Sequence, residues 1–165
     1  MLYRKLAFVI IIFIVSGCLC TFAQEEKRFA VAYGLEINNY AAEELAGGPL
    51  LNFNFNLSRQ FAAGVNFTGS TGGYGNSVIE PGVFLRYYFA EGHTGFFAQT
   101  DFGIARITEI EENISPGDDR SAIKFMGGIR GGYRLDFLKI YYAEPYIRAG
   151  YPFLMGAGIL MGYRF

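Results

Sequence analysis

The chain ends with Ala157-Gly158-Ile159-Leu160-Met161-Gly162-Tyr163-Arg164-Phe165, and this stretch decides the fold. Counted back from the last residue, every second position is apolar or aromatic: Phe165, Tyr163, Met161, Ile159, Ala157, Met155 and Phe153. The positions between them hold glycine, leucine or a charge: Arg164, Gly162, Leu160, Gly158, Gly156 and Leu154. Alternation with a period of two residues predicts a β-strand whose two faces meet different surroundings.

The same alternation runs through the chain from Phe29 onward. The clearest example sets four apolar residues against four polar ones, as Leu51, Phe53, Phe55 and Leu57 alternate with Asn52, Asn54, Asn56 and Ser58. Segments of about ten residues match the length of a tilted strand that crosses a bilayer. Counting these segments predicts eight strands, each with one apolar face and one face that is wet or hydrogen-bonded.

Charged residues and glycines share one face of these strands. Small residues belong in the tight interior of an eight-stranded barrel, so this face is expected to point inward. A soluble, lipocalin-like barrel would reverse the pattern and bury its large apolar residues. The sequence therefore predicts the all-β class and a closed eight-stranded antiparallel transmembrane β-barrel. The predicted lumen charge network consists of Glu36, Glu80, Arg86, Asp101, Lys124, Arg130, Arg134, Glu144, Arg148 and Arg164.

Two interpretations of this network stay open. An isolated buried charge costs several kcal/mol, so the acids and bases are expected to pair and to form a packed core. The alternative is a polar path for ions or small solutes. The interior of an eight-stranded barrel is just wide enough for side chains, and this favours the packed core.

Composition is consistent with a lipid-facing barrel and disfavours several functions. The chain has 17 Phe, 12 Tyr and 22 Gly but no Trp, and 18% of its residues are charged. The mildly acidic balance argues against nucleic-acid binding, which needs a basic stripe. Both cysteines, Cys18 and Cys20, lie in or beside a predicted leader, so under the favoured cleavage we expect no disulfide framework and no thiolate metal site. We also expect no other metal site and no cofactor.

Residues 1–23 are predicted to be a secretory signal peptide, and residues 24–165 are the predicted barrel domain. Arg4 and Lys5 form the basic end of the leader, and its apolar core at residues 6–15 is too short for a membrane helix. Cleavage between Ala23 and Gln24 is favoured. Lipoprotein processing at Cys18 is the alternative, because Val15-Ser16-Gly17-Cys18 matches a lipobox, although that motif is permissive.

The predicted connections alternate in length. Those at residues 39–49, 71–77 and 108–121 are long and are expected outside the cell, whereas those at 59–60, 90–94 and 136–139 are short and periplasmic. A very short outer turn at Tyr151-Pro152 departs from this alternation. The three long loops are candidate sites for an extracellular ligand. The acidic segment 109–120 is expected to be a solvated loop, with binding of a divalent cation or of a host or matrix protein as the alternative.

With these strands in place, the chain resembles the small eight-stranded outer-membrane barrels of the OmpX type, the OmpA membrane domain and the OmpW type. The terminal Gly162-Tyr163-Arg164-Phe165 resembles the signal read by the barrel-assembly machinery, which implies an assembly role for Phe165, Tyr163 and Met161. Residues 144–153 also resemble a recurrent element of small bacterial barrels. The resemblance implies the outer membrane of a diderm bacterium, with its lipid and the assembly machinery as partners. The chain lacks the long protruding strand pairs of the OmpX type, which weakens the prediction of an adhesin function from that resemblance.

The single histidine, His93, lies in a predicted short turn and is expected to be exposed there. An envelope enzyme would need a histidine at the outer rim beside a nucleophile or an acid, so no enzymatic activity is expected. The expected function is envelope structure or surface interaction by a barrel with a plugged lumen. The alternative, implied by the OmpW type, is a narrow channel or carrier for small or hydrophobic solutes.

Overall fold

A computed structural model of the chain describes residues 28–41, 44–72, 77–109, 120–138 and 140–165. The predicted signal peptide, with Cys18, and most of the acidic loop lie outside the described residues. The eight strands are β1 (Phe29–Ala41), β2 (Glu44–Asn56), β3 (Phe61–Gly72), β4 (Ser77–Tyr88), β5 (Gly95–Glu109), β6 (Arg120–Phe137), β7 (Tyr141–Tyr151) and β8 (Met155–Arg164).

Each strand pairs antiparallel with the next, and β8 pairs with β1 to close the barrel. The closing register runs from Ala30 opposite Arg164 to Asn39 opposite Met155. The predicted all-β, closed, eight-stranded antiparallel barrel is therefore confirmed. Among the residues that the structure describes, no helix is long and apolar enough to cross a membrane.

The barrel is apolar outside and polar inside. Large outward side chains such as Leu35 and Phe125 are each 65% exposed, whereas inward Glu144 and Arg86 are fully buried. Alternation along each strand causes this segregation, because successive side chains point to opposite faces of the sheet. A continuous apolar wall around a polar interior is the arrangement of barrels that face lipid.

Aromatic side chains form a ring around the end of the barrel that carries the short turns, the start of β1 and the end of β8. Every strand contributes to this aromatic ring, through Phe29, Phe55, Phe61, Tyr87, Phe96, Tyr133, Tyr141 and Tyr163. Neighbouring rings touch across strands: the centroids of Phe96 and Tyr133 are 4.8 Å apart, and those of Phe29 and Phe55 are 5.1 Å apart. Such girdles occur where a barrel meets the membrane–water interface.

Glycines on β8 make room for large side chains from β7. The register places Tyr142 opposite Gly162 and Tyr146 opposite Gly158. A Cβ at Gly162 would overlap the Tyr142 ring, and a Cβ at Gly158 would overlap the Tyr146 phenol. The glycines of the terminal strand thus let the β7 side chains lie flat against the barrel wall.

The connections match the sequence prediction at one end of the barrel and differ at the other. The connections after β2, β4 and β6 are short, as predicted. The predicted long loop at 39–49 is wrong, because β1 extends to Ala41 and β2 already begins at Glu44. Gly47 and Gly48 pair with β1, as does Pro49, which lies opposite Leu35. On the β3 side the described register omits Gly48 and Pro49, consistent with the missing N–H of proline.

Candidate functional site

Eight of the ten residues predicted for the lumen network are buried inside the barrel. They are four acids and four arginines, so their formal charges cancel. None of these residues is more than 4% exposed: Glu36, Glu80, Arg86, Asp101, Arg130, Arg134, Glu144 and Arg148. They fall into two groups at different heights in the lumen.

The turn-side group consists of Arg86, Arg134 and Glu144. Nη1 of Arg86 donates to both carboxylate oxygens of Glu144, at 2.8 and 2.9 Å. Nε of Arg134 donates to Oε1 of the same carboxylate at 2.5 Å. One acid therefore serves two guanidinium groups, and the group carries one excess positive charge.

Aromatic rings surround the two arginines of the turn-side group. Cζ of Arg134 lies 3.9 Å from the Tyr142 ring centroid, and Cζ of Arg86 lies 4.2 Å from that of Phe97. The Tyr88 hydroxyl accepts a hydrogen bond from Nη1 of Arg86 at 2.9 Å. Ring faces attract cations, and desolvation strengthens this attraction, so the aromatic residues stabilise the second charge that Glu144 alone does not balance.

The loop-side group consists of Glu36, Glu80, Asp101, Arg130 and Arg148. Nη1 of Arg148 forms a short ion pair with Glu36 and a second pair with Glu80 at 3.3 Å. Arg130 pairs with Glu36 and with Asp101, at 3.5 Å each. Three carboxylates thus face two guanidinium groups, and this group carries one excess negative charge.

Neutral polar residues donate further hydrogen bonds to the carboxylates and connect the two groups. The Tyr146 hydroxyl donates to Oε2 of Glu36 at 2.6 Å, and Nδ2 of Asn66 donates to Oδ1 of Asp101 at 2.7 Å. Gln99 accepts from Nε of Arg86 and donates to Oδ1 of Asp101, both at 2.7 Å. Gln99 is therefore a direct link between the turn-side and loop-side groups.

The remaining two predicted network residues lie elsewhere. Arg164 is only partly buried, and its Nη2 pairs with Asp136 at 2.5 Å near the turn end. Lys124 has the inward parity but is exposed, so its predicted place in the buried network is wrong. Its part of β6 lies near the loop end, opposite Ala105, where the inner face of the strand meets solvent.

His93 is buried, which corrects the prediction of an exposed turn residue. It is only 3% exposed, and its ring meets the Tyr88 ring edge-on at a centroid distance of 5.2 Å. Its φ of 56° directs the chain through a tight left-handed turn. Nη1 of Arg134 donates to the His93 carbonyl oxygen at 3.2 Å. His93 therefore covers the turn-side group at the turn end of the lumen.

Phe153 is also buried, although the alternation placed it on the apolar outer face. It precedes β8, and its ring covers the guanidinium group of Arg148. Cζ of Arg148 lies 3.5 Å from the centroid of the Phe153 ring. The neighbouring Leu154 points outward and is 62% exposed, again the reverse of the prediction. The alternation of β8 does not extend into the turn before it. Phe153 can therefore point inward and cover the loop-side group at the loop end of the lumen.

The neutral partners of the network are not evident from the sequence. Gln99, Asn66 and Tyr146 all have the inward parity, and this was the available signal. Their partners could not be identified, because contacts across the lumen depend on the stagger of all eight strands. The predicted assembly residues lie on the outward side of β8, with Tyr163 and Phe165 in ring contact at 4.8 Å.

Comparison with known proteins identifies the fold. No protein-family model and no curated protein sequence matches the chain. Among solved structures, the N-terminal β-barrel domain of Pseudomonas aeruginosa OprF has a TM-score of 0.59 at 14% identity, covering 86% of this chain and 100% of that one. Neisserial surface protein A has a TM-score of 0.67 at 10% identity, with coverages of 83% and 97%.

A third similar structure is Ail, the attachment invasion locus protein of Yersinia pestis, in complex with the heparin analogue sucrose octasulfate. Its TM-score is 0.57 at 10% identity, covering 85% of this chain and 99% of that one. The three matches show that this chain has the fold of small outer-membrane β-barrels.

Proposed function

We propose that this chain, which has the fold of the small outer-membrane β-barrels, is an integral protein of a bacterial outer membrane with a plugged lumen. Its role in this proposal is structural or one of surface interaction. The apolar outer wall supports the membrane location, since burying apolar surface in lipid is favourable. The match in fold to outer-membrane proteins supports the same location.

One observation above all supports a plugged lumen: ion pairs cross the barrel interior at two heights. Arg86 on β4 reaches Glu144 on β7, and Arg148 on β7 reaches Glu80 on β4. Strands β4 and β7 are not neighbours in the sheet, so these pairs span the lumen. Opening a path would leave buried charges without partners, which costs about 3–5 kcal/mol for each broken pair.

Conductance of the refolded full chain in planar bilayers tests this proposal. We expect no discrete openings from the wild-type protein. The double variant Arg86→Ala, Arg148→Ala removes both bridges and should leak ions if the barrel still closes. A reproducible, selective current from the wild type would contradict the plug and favour the alternative, a narrow channel or carrier for small solutes.

The outer connections are the proposed surface for an extracellular ligand. The predicted sites at 71–77 and 108–121 are retained, whereas the predicted loop at 39–49 is not, because those residues are largely strand. Segment 109–120 is rich in acids, which favours a cationic ligand such as a divalent cation or a basic protein surface. Calcium titration of the full chain, compared with a variant in which residues 110–119 are a short Gly-Ser turn, tests the cation. Equal calcium binding by both would contradict a site in this loop.

The barrel-assembly machinery is the proposed partner during insertion, and Phe165 is the proposed contact. Its backbone N–H donates to the Phe29 carbonyl oxygen at 2.9 Å, and its side chain is 61% exposed. Deleting Phe165 should reduce the amount of barrel inserted in cells. Spontaneous refolding into detergent should change little, which separates recognition by the machinery from stability. Normal insertion of the truncated chain would contradict this role.

The proposed role involves no catalysis by His93. The histidine ring packs against Tyr88 at the turn end of the lumen, whereas substrates of an outer-surface enzyme would arrive at the other end. Acyl transfer or lipid hydrolysis that disappears in His93→Ala, while the barrel stays folded, would contradict this.

A further inference from the structure

Among the strand residues whose side chains the structure describes, Arg106 is the single charged residue at an outward-facing position. The other charged strand residues, such as Arg134 and Glu144, have the inward parity. Arg106 has the same parity as Phe102 and Ile104, which are exposed on the apolar wall. Residue 106 is itself exposed. A lone cation on an otherwise uncharged wall needs a physical reason, because charge on a lipid-facing wall is costly at mid-depth.

The sheet register places Arg106 at the upper edge of the apolar wall. One outward row below it, Ile104 lies opposite Phe125, and both are about half exposed or more. In its own row, Arg106 lies between Ile79 on β4 and Ile123 on β6. The next row towards the loop end contains only hydroxyl side chains, Ser77, Thr108 and Ser121. Arg106 thus marks the boundary between the apolar wall and the polar rim.

At this boundary an arginine meets the headgroups of the surrounding lipid. Its apolar stem can lie along Ile79 and Ile123, while its guanidinium group reaches the polar layer. A guanidinium group has five N–H donors in a planar fork that matches two oxygens of a phosphate. No described residue forms a hydrogen bond or an ion pair with Arg106, and its outward parity directs its donors to the wall and rim rather than to the lumen network.

We propose that Arg106 binds the phosphate group of an anionic lipid in the leaflet at the loop end of the barrel. This site would fix the vertical position of the β5–β6 hairpin in the membrane. The turn end is held differently, by the aromatic ring, which carries no cation. The inference rests on the proposed membrane location, which needs a separate measurement.

Lys124 provides a matched control on the same hairpin. It pairs with Ala105, the residue before Arg106, and it is also an exposed cation. Its parity is opposite, so it lies on the other face of the hairpin, away from the lipid. Arg106→Gln and Lys124→Gln therefore remove the same charge at nearly the same height from two different faces.

The test measures binding of phosphatidylglycerol to the refolded full chain in neutral detergent, by native mass spectrometry. Arg106→Gln should weaken binding about tenfold, the value of one charge-assisted hydrogen bond, whereas Lys124→Gln should bind as the wild type does. Equal weakening by both variants, or by neither, would overturn the site. Displacement of the lipid by equimolar inorganic phosphate would also overturn it, because the site would then take the free ion.

Flotation with phosphatidylcholine vesicles distinguishes this inference from the proposed function. The wild type and both variants should float, because the apolar wall is unchanged. If the wild type does not float, the membrane location fails. If all three float but bind phosphatidylglycerol equally, only the Arg106 site fails.

Discussion

The two ionic groups inside the barrel both hold buried charges, but their ratios of acids to arginines are opposite. On the turn side, Glu144 alone faces Arg86 and Arg134 with short, direct contacts. On the loop side, three carboxylates share two arginines through one short pair, Arg148 with Glu36, and three longer pairs of 3.3 to 3.5 Å. Because every loop-side arginine has two acids, that group is redundant. The turn-side group depends on one residue.

This difference determines where the barrel is vulnerable. Breaking a buried ion pair is costly mainly because the remaining charge stays buried without a partner. Loss of Glu144 leaves two guanidinium groups without a carboxylate. Loss of Glu36 leaves Arg148 with Glu80 and Arg130 with Asp101. The predictions below test this contrast in order of decreasing effect.

The largest effect is expected for Glu144→Gln, which should lower the free energy of unfolding by about 3–5 kcal/mol. Urea unfolding in lipid vesicles, followed by circular dichroism, measures it. Glu91→Gln is the control, because the ion pair of Glu91 with Arg59 is exposed and should contribute little. Similar stability of the two variants would show that Glu144 is not the critical partner.

Gly162→Ala should cost about 2–3 kcal/mol, because the added methyl group displaces the Tyr142 ring that stacks on Arg134. Gly131→Ala is the matched control: its Cβ would point outward and meet nothing within 4 Å. The same unfolding assay compares the two alanine variants. Equal stability would mean that the space under Tyr142 does not support the turn-side group.

Glu36→Gln should cost about 1–2 kcal/mol, near the value of a hydrogen bond to a charged group. Both arginines keep an acid, and glutamine can still accept from the Tyr146 hydroxyl. The informative quantity is the ratio of this loss to that of Glu144→Gln. A loss as large as that of Glu144→Gln would remove the distinction between the redundant and the dependent group.

The smallest effect is expected for the link between the groups. Gln99→Leu should cost about 1 kcal/mol, since Arg86 and Asp101 each lose one of several partners. A double-mutant cycle between Glu144→Gln and Asp101→Asn should show a coupling of at least 0.5 kcal/mol that disappears in the Gln99→Leu background. Coupling that persists without Gln99 would mean that the groups communicate by another route.

The sequence predicts the fold and the inner face well because both depend on local alternation. A period of two residues assigns each side chain to a face without any knowledge of its partners. Glu80, Asp101 and Arg130 could therefore be placed inside from the sequence alone. The glycines on the same face, such as Gly158 and Gly162, further supported an inner position.

Errors arise where alternation ends or where height matters. His93 and Phe153 lie in turns, where parity no longer assigns a face, and both turn inward over an arginine. Lys124 has the correct parity but lies too near the rim to be buried. The residues around Pro49 look like a loop because proline and two glycines are adjacent, yet β1 holds them in the sheet. Pairing partners also depend on the stagger of the whole barrel.

The contact between Glu36 and Arg148 has a consequence for closure of the barrel. These residues are 112 positions apart, on the first and the seventh strand, with β8 between them in the closed sheet. The pairing of β8 with β1 brings the two side chains together. A barrel with a misplaced seam would separate Glu36 from Arg148, whereas Arg148 would keep its pair with Glu80, so this ion pair depends on closure in the correct register.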